Sequence, residues 1–111
     1  MIKIVKKKKK TPWKSTSFFK RRKSTRRKVG HPVWVYKRRG RTYKYLTFTH
    51  NPEKGKESDY EKMLYNIDPN DKEDCYVKKK FDVSRYDAFE DPDKNYRIHE
   101  KDRARIKKHQ K

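Results

Sequence analysis

The clearest pattern of apolar and polar positions lies in residues 31–50, HPVWVYKRRGRTYKYLTFTH. Residues 32–37 and 42–49 are rich in Val, Tyr, Trp, Thr and Phe, the side chains that suit a pleated, half-buried surface. The basic connection between these two runs ends in Gly40. The pattern therefore predicts a β-hairpin with aromatic arms and a tight cationic turn.

The turn of this hairpin decides which side chains share a face of the sheet. A two-residue type I′ turn would place Arg39 at positive φ, where a non-glycine residue is strained. We therefore predict a three-residue loop with Gly40 in the left-handed bulge position. In that register one face pairs Val35 with Tyr43 and Val33 with Tyr45, and the other face carries Trp34, Tyr36, Lys44, Leu46 and Phe48.

A second register of the same hairpin stays open. It sets Trp34 and Tyr36 opposite Tyr45 and Tyr43, which produces an all-aromatic face. Neither register has a polar face, and a hairpin that is apolar on both faces usually lies inside a small barrel or beneath a helix. A core role is therefore favoured over a base-stacking platform.

The apolar pattern after residue 50 predicts short elements. Ser58 and Glu61 have the spacing of a capping box, and an apolar stripe follows, so we expect a helix over 58–67. Alternating apolar residues predict a third strand over 75–83, followed by a helical turn, an edge strand and a terminal helix. The stripe is Tyr60, Met63, Leu64 and Ile67; the alternating residues are Cys75, Val77, Phe81 and Val83; the later elements span 84–89, 96–99 and 100–109.

The composition fits one small domain with an aromatic core. Of 111 residues, 30% are hydrophobic, 45% are charged and 14% are aromatic. Because aliphatic residues are scarce, aromatic side chains must supply most of the buried surface. We predict the α+β class: a small twisted antiparallel β-sheet or open small barrel with short helices, preceded by a disordered basic N-terminal tail.

Charge divides the chain into two regions. The net charge is +20, and residues 1–29 hold fourteen Lys or Arg with no Asp or Glu. We predict a flexible polybasic tail over 1–29 and a small α+β domain over 30–111, which should fold without residues 1–28. Such a polycation attracts a polyanion, because each phosphate that it neutralises releases a counterion.

Nucleic acid is the partner that this charge favours, and RNA is preferred over DNA. Aromatic residues interleaved with cations suit single strands and RNA loops, and no basic recognition helix is evident. Trp13, Phe18 and Phe19 in the tail either clasp the domain or stack on bases, and ordering on binding is the favoured interpretation. The candidate nucleic-acid-binding residues are Lys20, Arg21, Arg22, Arg26, Arg27, Trp34, Tyr36, Arg38, Arg39, Arg41, Tyr43 and Tyr45.

Several other classes of function have little support in the sequence. There is no run of ~18 apolar residues and no secretory signal, so no membrane partner is expected. The single cysteine, Cys75, fits a cytoplasmic protein, with nucleoid or nuclear association as the alternative. No cofactor and no metal site is predicted, because Walker, dinucleotide and Cys/His motifs are missing and DPNDKED, 68–74, lacks the pattern of an EF-hand.

His50 and His99 are weak candidates for acid–base chemistry. A metal-independent ribonuclease needs a base, an acid and a cation beside the phosphate. Small endoribonuclease toxins use a compact β-rich architecture with a basic groove, which is an analogy of size and style. A non-enzymatic binding protein is preferred. The alternatives are such a ribonuclease, or an inhibitor or interaction protein that occupies the nucleic-acid-binding surface of a larger ribonucleoprotein or acidic partner.

Overall fold

The computed structural model describes residues 17–111, which form a mostly antiparallel, open sheet of seven strands with few short helices. The strands are β1 Phe18–Arg22, β2 Pro32–Arg39, β3 Thr42–Thr49, β4 Tyr60–Lys62, β5 Tyr76–Lys78, β6 Asp82–Arg85 and β7 Phe89–Glu90. The helices are α1 Arg103–Lys107 and 3₁₀ turns at Glu57–Asp59, Tyr86–Ala88 and Glu100–Asp102. The strand order is β4-β5-β3-β2-β1-β7, with β6 also paired to β3. The predicted small antiparallel sheet with short helices is confirmed.

The predicted hairpin is present, but its loop is shorter than expected. Only Gly40 and Arg41 separate β2 from β3, and Arg39 pairs with Thr42. Gly40 has a φ of 55°, so glycine takes a positive-φ position in the two-residue loop and Arg39 stays in the strand. The predicted three-residue loop is therefore wrong.

A bulge at Tyr36 shifts the inner half of the hairpin. The pairing between β2 and β3 changes register between Val35 and Lys37, which leaves one extra residue in β2. Val35 consequently lies opposite Tyr45 and not opposite Tyr43. Both sequence-based registers are wrong, because a bulge inside an apolar strand has no local sequence signal.

The two faces of the hairpin are nevertheless divided as predicted for the preferred register. The bulge and the shorter loop together move Val35 by two positions along β3, and an even shift keeps side chains on their original faces. Both faces are buried, so the core role of the hairpin is confirmed. One cluster contains Val33, Val35, Tyr43, Tyr45 and Phe89; the other contains Tyr36, Leu46, Phe48, Met63, Ile67, Cys75, Val77 and Ile106.

Strand β1 lies in the region that the sequence places in the flexible tail. It pairs with β2 on one side and with β7 on the other. The Phe19 ring packs 4.8 Å from the Trp34 ring and 5.9 Å from the Phe48 ring, centroid to centroid. The expectation of a flexible tail is wrong for residues 18–22, and Phe18 and Phe19 clasp the domain. The tail prediction for residues 1–16, and with it Trp13, lies outside the described residues.

The predicted helix over 58–67 does not form. The 3₁₀ turn at Glu57–Asp59 has no side-chain cap, and the chain continues into β4, which pairs with β5. Met63 and Ile67 are buried, whereas 59% of Leu64 is exposed, which is not the burial of one helical stripe. Pairing with a distant strand therefore replaces the local capping-box preference.

The C-terminal part of the chain follows the prediction in part. The predicted third strand is divided into β5 and β6, which both pair with β3, with a register offset of two residues between them. Residues 96–99 are not a strand, so the predicted edge strand is wrong. The terminal helix is confirmed in position but is shorter, and Ile106 on α1 is buried in the second cluster.

A charged network joins β4 to the C-terminal residues. Glu61 accepts hydrogen bonds from His109 at 2.6 Å, from Arg105 at 2.8 Å and from Lys108 at 3.3 Å. Burial alone raises the pKa of Glu61, but the hydrogen bonds from His109, Lys108 and Arg105 and the charge of Lys108 outweigh burial and hold this pKa below the ordinary 4.5. The ionised carboxylate therefore stabilises the fold.

We expect this stabilisation to disappear in acid. Because the folded-state pKa of Glu61 is depressed, its contribution is complete above the unfolded pKa and is lost as the pH falls through the folded pKa. Urea unfolding of the wild type and of Glu61→Gln between neutral pH and pH ~3 measures this. The difference in free energy of unfolding should shrink below pH ~4.5. A difference that stays constant with pH would contradict the role of this carboxylate.

Candidate nucleic-acid interface

Three of the predicted phosphate-binding residues are held by partners within the domain. Lys20 pairs with Asp91 at 2.5 Å, and Arg21 pairs with Glu90 at 2.7 Å and with Asp93 at 3.0 Å. These pairs join β1 to β7 and the loop that follows it. Lys20 and Arg21 thus have carboxylate partners within the domain, which compete with phosphate for these two predicted nucleic-acid-binding residues.

Arg22 is also occupied, but by neutral groups. Its Nη1 donates hydrogen bonds to the hydroxyls of Tyr45 at 3.0 Å and Ser84 at 2.9 Å. The guanidinium lies 5.2 Å from the centre of the Phe89 ring. A cation stacked on an aromatic ring and bonded to two hydroxyls stabilises the core cluster. Its predicted role in nucleic-acid binding stays a prediction that these internal contacts make less favourable.

The predicted base-stacking tyrosines are core residues. The relative solvent exposure of Tyr36, Tyr43 and Tyr45 is 8% or less. Burial also raises the pKa of Tyr36 to about 12. A base cannot stack on these rings without opening the sheet, so the prediction that they form a stacking platform is wrong for the folded domain. Trp34 is half-buried and so keeps an accessible part, unlike the three tyrosines of the hairpin.

The hairpin turn carries an exposed group of side chains that we call the tip surface: Arg38, Arg39, Arg41 and Tyr86. The three arginines are exposed, and none forms an ion pair with a carboxylate among residues 17–111. The Tyr86 amide donates to the Arg41 carbonyl at 2.8 Å, and 45% of Tyr86 remains exposed. The tip surface thus combines guanidinium groups with an open aromatic ring.

Tyr86 was not predicted as a site residue from the sequence. It comes to the tip because β6 pairs antiparallel with β3, with Arg85 opposite Thr42. This pairing joins segments about forty residues apart, and no local signal announces it. The exposed aromatic residue could be found only once the partner of the predicted third strand was known.

A second cationic group, the loop surface, lies in the loop between β1 and β2, at the opposite end of the hairpin from the tip surface. A straight strand of the length of β2 separates the two surfaces by about 25 Å. Its residues are Lys23, Arg26, Arg27 and Lys28, all exposed and all without an ion-pair partner in the described part of the chain. The loop is ordered by its own bonds: the Thr25 hydroxyl accepts from the Arg27 and Lys28 amides, and the Ser24 hydroxyl accepts from Gly30.

The loop surface also depends on a close approach of backbone at Gly30. A Cβ at this position would collide with the carbonyl oxygen of Arg22, whose own amide donates to His31 at 3.0 Å. Only glycine fits there, so the four cations are displayed by a closed loop of defined shape. Arg26 and Arg27, two of the predicted ligands, are thus exposed as expected.

The same end of the hairpin holds a small cleft between His31 and His50. It has a volume of about 150 Å³ and is also lined by Lys94 and Tyr96. Partial burial, the charge of Lys28 and the neighbouring His50 lower the pKa of His31. Sequence reasoning missed His31, although residues that flank the two open ends of an antiparallel hairpin necessarily come together.

His50 is held on both ring nitrogens. Nδ1 lies 3.1 Å from the carbonyl oxygen of Asp74, and Nε2 lies 3.2 Å from the carboxylate of Asp71. Donor atoms of His50, Asp71 and Glu73 all lie within 4.8 Å of one another. These three residues are a set that can hold a divalent cation, and the sequence analysis did not predict it because residue 50 and residues 71–73 are far apart in the chain.

His99 does not join His50. Its ring stacks on Tyr65 with centroids 3.8 Å apart, and its Nδ1 accepts a hydrogen bond from the Lys101 amide. It lines a different cleft, formed by residues 65–71 and 97–100. The two histidines named as catalytic candidates are therefore not brought together, and His31 is the histidine that shares a cleft with His50.

Known proteins offer no guide to these surfaces. No family model, no curated protein and no solved structure matches the chain. Within residues 17–111 no helix has the length and apolar character needed to cross a bilayer. The function must therefore be argued from the surfaces alone.

Proposed function

We propose that this protein binds nucleic acid, RNA in preference to DNA, through the tip surface and the loop surface. The observation that carries the proposal is the contrast between two groups of cations. The basic residues of β1 have partners within the domain, whereas the seven cations of the two surfaces are exposed and lack a carboxylate partner among the described residues. Repulsion among unpaired cations is relieved by a polyanion.

The preference for RNA follows from the shape of the domain. Single strands and RNA loops are recognised by exposed aromatic rings near cations, and the exposed Tyr86 is joined through its backbone to Arg41 in the cationic turn. The described residues offer no helix suited to a major groove, since α1 has only five residues. Residues 1–16 add seven lysines that can contact phosphates.

We also propose a cytoplasmic location, with association to a nucleoid or nucleus as the alternative. Its single thiol supports a reducing compartment, since Cys75 is buried in the core cluster and burial raises its pKa to about 11. No cofactor is required for binding of this kind.

A salt series with single-stranded RNA tests the function. Full-length protein should bind tightly at low salt, with affinity that falls steeply as salt rises. Replacing Arg38, Arg39 and Arg41 by Gln should weaken binding and lower the slope of log affinity against log salt by about 2, because each contact to a single strand contributes ~0.7. The matched control replaces Lys54, Lys72 and Lys79 by Gln.

The control removes the same charge from exposed residues outside both surfaces. If the two triple variants lose the same affinity and the same slope, the tip surface makes no specific contact. Weak binding by the wild type at every salt concentration would remove nucleic acid as the partner. It would then favour the alternative of an interaction protein that fits an acidic surface of a larger protein.

A second candidate function, metal-independent RNA cleavage, is supported by the cleft between His31 and His50. One imidazole would remove the proton of a 2′-hydroxyl, and the other would protonate the departing 5′-oxygen, while Lys94 lies in the same cleft as a cation. The integrity of the RNA in the salt series decides this. Cleavage that survives a chelator and is lost in His50→Ala would place the enzyme first, and intact RNA would exclude it.

A further inference from the structure

A groove that takes no part in the two cationic surfaces lies between β1, β2, residues 96–98 and α1. Its volume is about 580 Å³, within the range of ~300–1,000 Å³ that is usual for small-molecule sites. Side chains of Phe19, Trp34, Tyr96, Ile98 and Ile106 line it. The groove is therefore large enough for a planar ring and is largely apolar on one side.

The aromatic side of the groove is fixed in position. The Phe19 ring packs against the rings of Trp34 and Tyr96, with centroids 4.8 Å and 5.6 Å away. The Trp34 indole N–H donates to the Gln110 side-chain oxygen at 3.0 Å, which fixes the plane of the indole. All three rings are half-buried, so each keeps part of its surface in contact with solvent. Aromatic surfaces held in this way are preorganised to stack on another ring.

The other side of the groove is cationic. Arg97, Arg103 and Lys107 are exposed, and none has a carboxylate within ion-pair distance in the part of the chain that the structure describes. Arg103 and Lys107 are four residues apart on α1 and so lie on one side of the helix, where like charges repel. The terminal helix thus presents unpaired positive charge to the aromatic rings, an arrangement that an anion would stabilise.

We propose that this groove binds one nucleotide of single-stranded RNA, with the base against Trp34 and Tyr96 and the adjoining phosphates on Arg97, Arg103 and Lys107. The inference rests on the proposed function and adds to it a site for the base. The chain's own first sixteen residues are a poor occupant, because they carry seven lysines and no acid and would be repelled by the three cations. Charge complementarity selects an anionic ligand, and the rings select one with an aromatic group.

Tyr96 connects the groove to the cleft between His31 and His50, since its side chain lines both. The loop surface lies beside that cleft, because Arg22 at the end of β1 bonds to His31. An RNA strand bound to the loop surface therefore has a short path along Tyr96 into the groove. This gives single strands an advantage over a duplex, whose bases cannot leave the stack without cost.

The test compares full-length wild type with a groove variant in which Arg97, Arg103 and Lys107 are replaced by Gln. The control is again the replacement of Lys54, Lys72 and Lys79 by Gln. Each protein is titrated with a short oligo(U) and with the same oligomer after removal of its bases. Wild type and control should bind the abasic oligomer about tenfold more weakly than oligo(U), because base stacking is lost. The groove variant should bind oligo(U) more weakly and show a smaller difference between the two oligomers, because stacking outside the groove, as on Tyr86, remains.

A second readout reports on the stacking ring itself. In a Trp13→Phe background Trp34 is the only tryptophan, so its fluorescence should be quenched on addition of oligo(U) and unchanged by the abasic oligomer. Circular dichroism and the urea midpoint of the groove variant should match those of the control, which separates a lost contact from a lost fold.

The outcomes separate the groove from the general function. If oligo(U) binds and its affinity depends on salt, but wild type and groove variant respond equally to base removal, the groove inference is overturned and the proposed function stands. If wild type binds neither oligomer, both fail. Tight binding of both oligomers without a loss of Trp34 fluorescence would also overturn the groove inference. Binding would then consist of contacts to phosphate.

Discussion

Removal of residues 1–28 is expected to abolish the cooperative unfolding of this protein, whereas removal of residues 1–16 should leave it intact. The longer deletion takes away β1, which lies between β2 and β7 in the sheet. It removes the Phe19 ring from its contacts with Trp34 and Phe48 and exposes the edge of β2. Loss of one fully buried aromatic side chain costs ~3–5 kcal/mol in typical cores. Loss of the half-buried Phe18 and Phe19 together with the hydrogen bonds of β1 should therefore remove a large part of the ~5–15 kcal/mol that stabilises a domain.

Thermal or urea unfolding followed by circular dichroism measures this difference. The deletion of 1–16 is the control, because it shortens the chain without removing a described element. A cooperative transition with an unchanged midpoint after removal of 1–28 would show that β1 is dispensable, as the sequence alone suggests.

The deletion of residues 1–16 should also weaken RNA binding. Loss of seven lysines should lower the slope of log affinity against log salt by up to ~5.

The hairpin shows how far local sequence determines this fold. Strand-forming residues around a glycine-containing turn predict β2 and β3 and the burial of both faces, because those signals act within twenty residues. The register depends on Tyr36, which bulges between Val35 and Lys37. In a run of apolar residues, no sequence signal distinguishes the residue that bulges from those that pair. The two strands were therefore predicted correctly, whereas their register was not.

The region from Ser58 to Ile67 shows the opposite case. A capping-box spacing and an apolar stripe predict a helix, yet Met63 donates its backbone amide to Cys75 and β4 pairs with β5. These contacts join residues more than ten positions apart and bury Met63 and Ile67 from a loop. Tertiary pairing outweighs a helix preference of a few tenths of a kcal/mol per residue.

The positive charge of the candidate interface could be predicted from the sequence, but the residues that form it could not. The excess of cations in residues 1–29 is visible in the sequence, and it predicts a polyanionic partner. Which cations remain free depends on Glu90, Asp91 and Asp93, which lie about seventy residues later and pair with β1. In contrast, His31 and His50 lie close together because they flank the open end of the hairpin, and this proximity could have been predicted from the sequence.

A fully buried carboxylate contributes to the attachment of the C-terminal helix, beside Ile106 and the Glu61 network. Asp102 is completely buried, and its two oxygens accept hydrogen bonds from the backbone amides of Leu64 and Tyr65, each at 3.0 Å. Arg105 donates to the same side chain at 3.1 Å. These bonds hold residues 63–67 against α1 and so keep Ile106 in the core.

Replacement of Asp102 by Ala should therefore lower the free energy of unfolding by about 3–5 kcal/mol, since it leaves the part-buried amides of Leu64 and Tyr65 without their acceptor and Arg105 with Glu61 as its remaining carboxylate partner. Asp102→Asn should cost less, because one acceptor oxygen is kept. Asp91→Ala is the control: its side chain is 87% exposed and its ion pair with Lys20 is worth at most ~1 kcal/mol.

Urea midpoints at constant m-value measure the three variants. Because Asp102 immediately precedes Arg103, the same substitution should also reduce the stacking-dependent part of RNA binding in the groove, while binding to the abasic oligomer through the tip surface persists. Stability within 1 kcal/mol of the wild type for Asp102→Ala would mean that water or a neighbouring group satisfies the two amides. The attachment of α1 would then have to be explained by Ile106 and the Glu61 network instead.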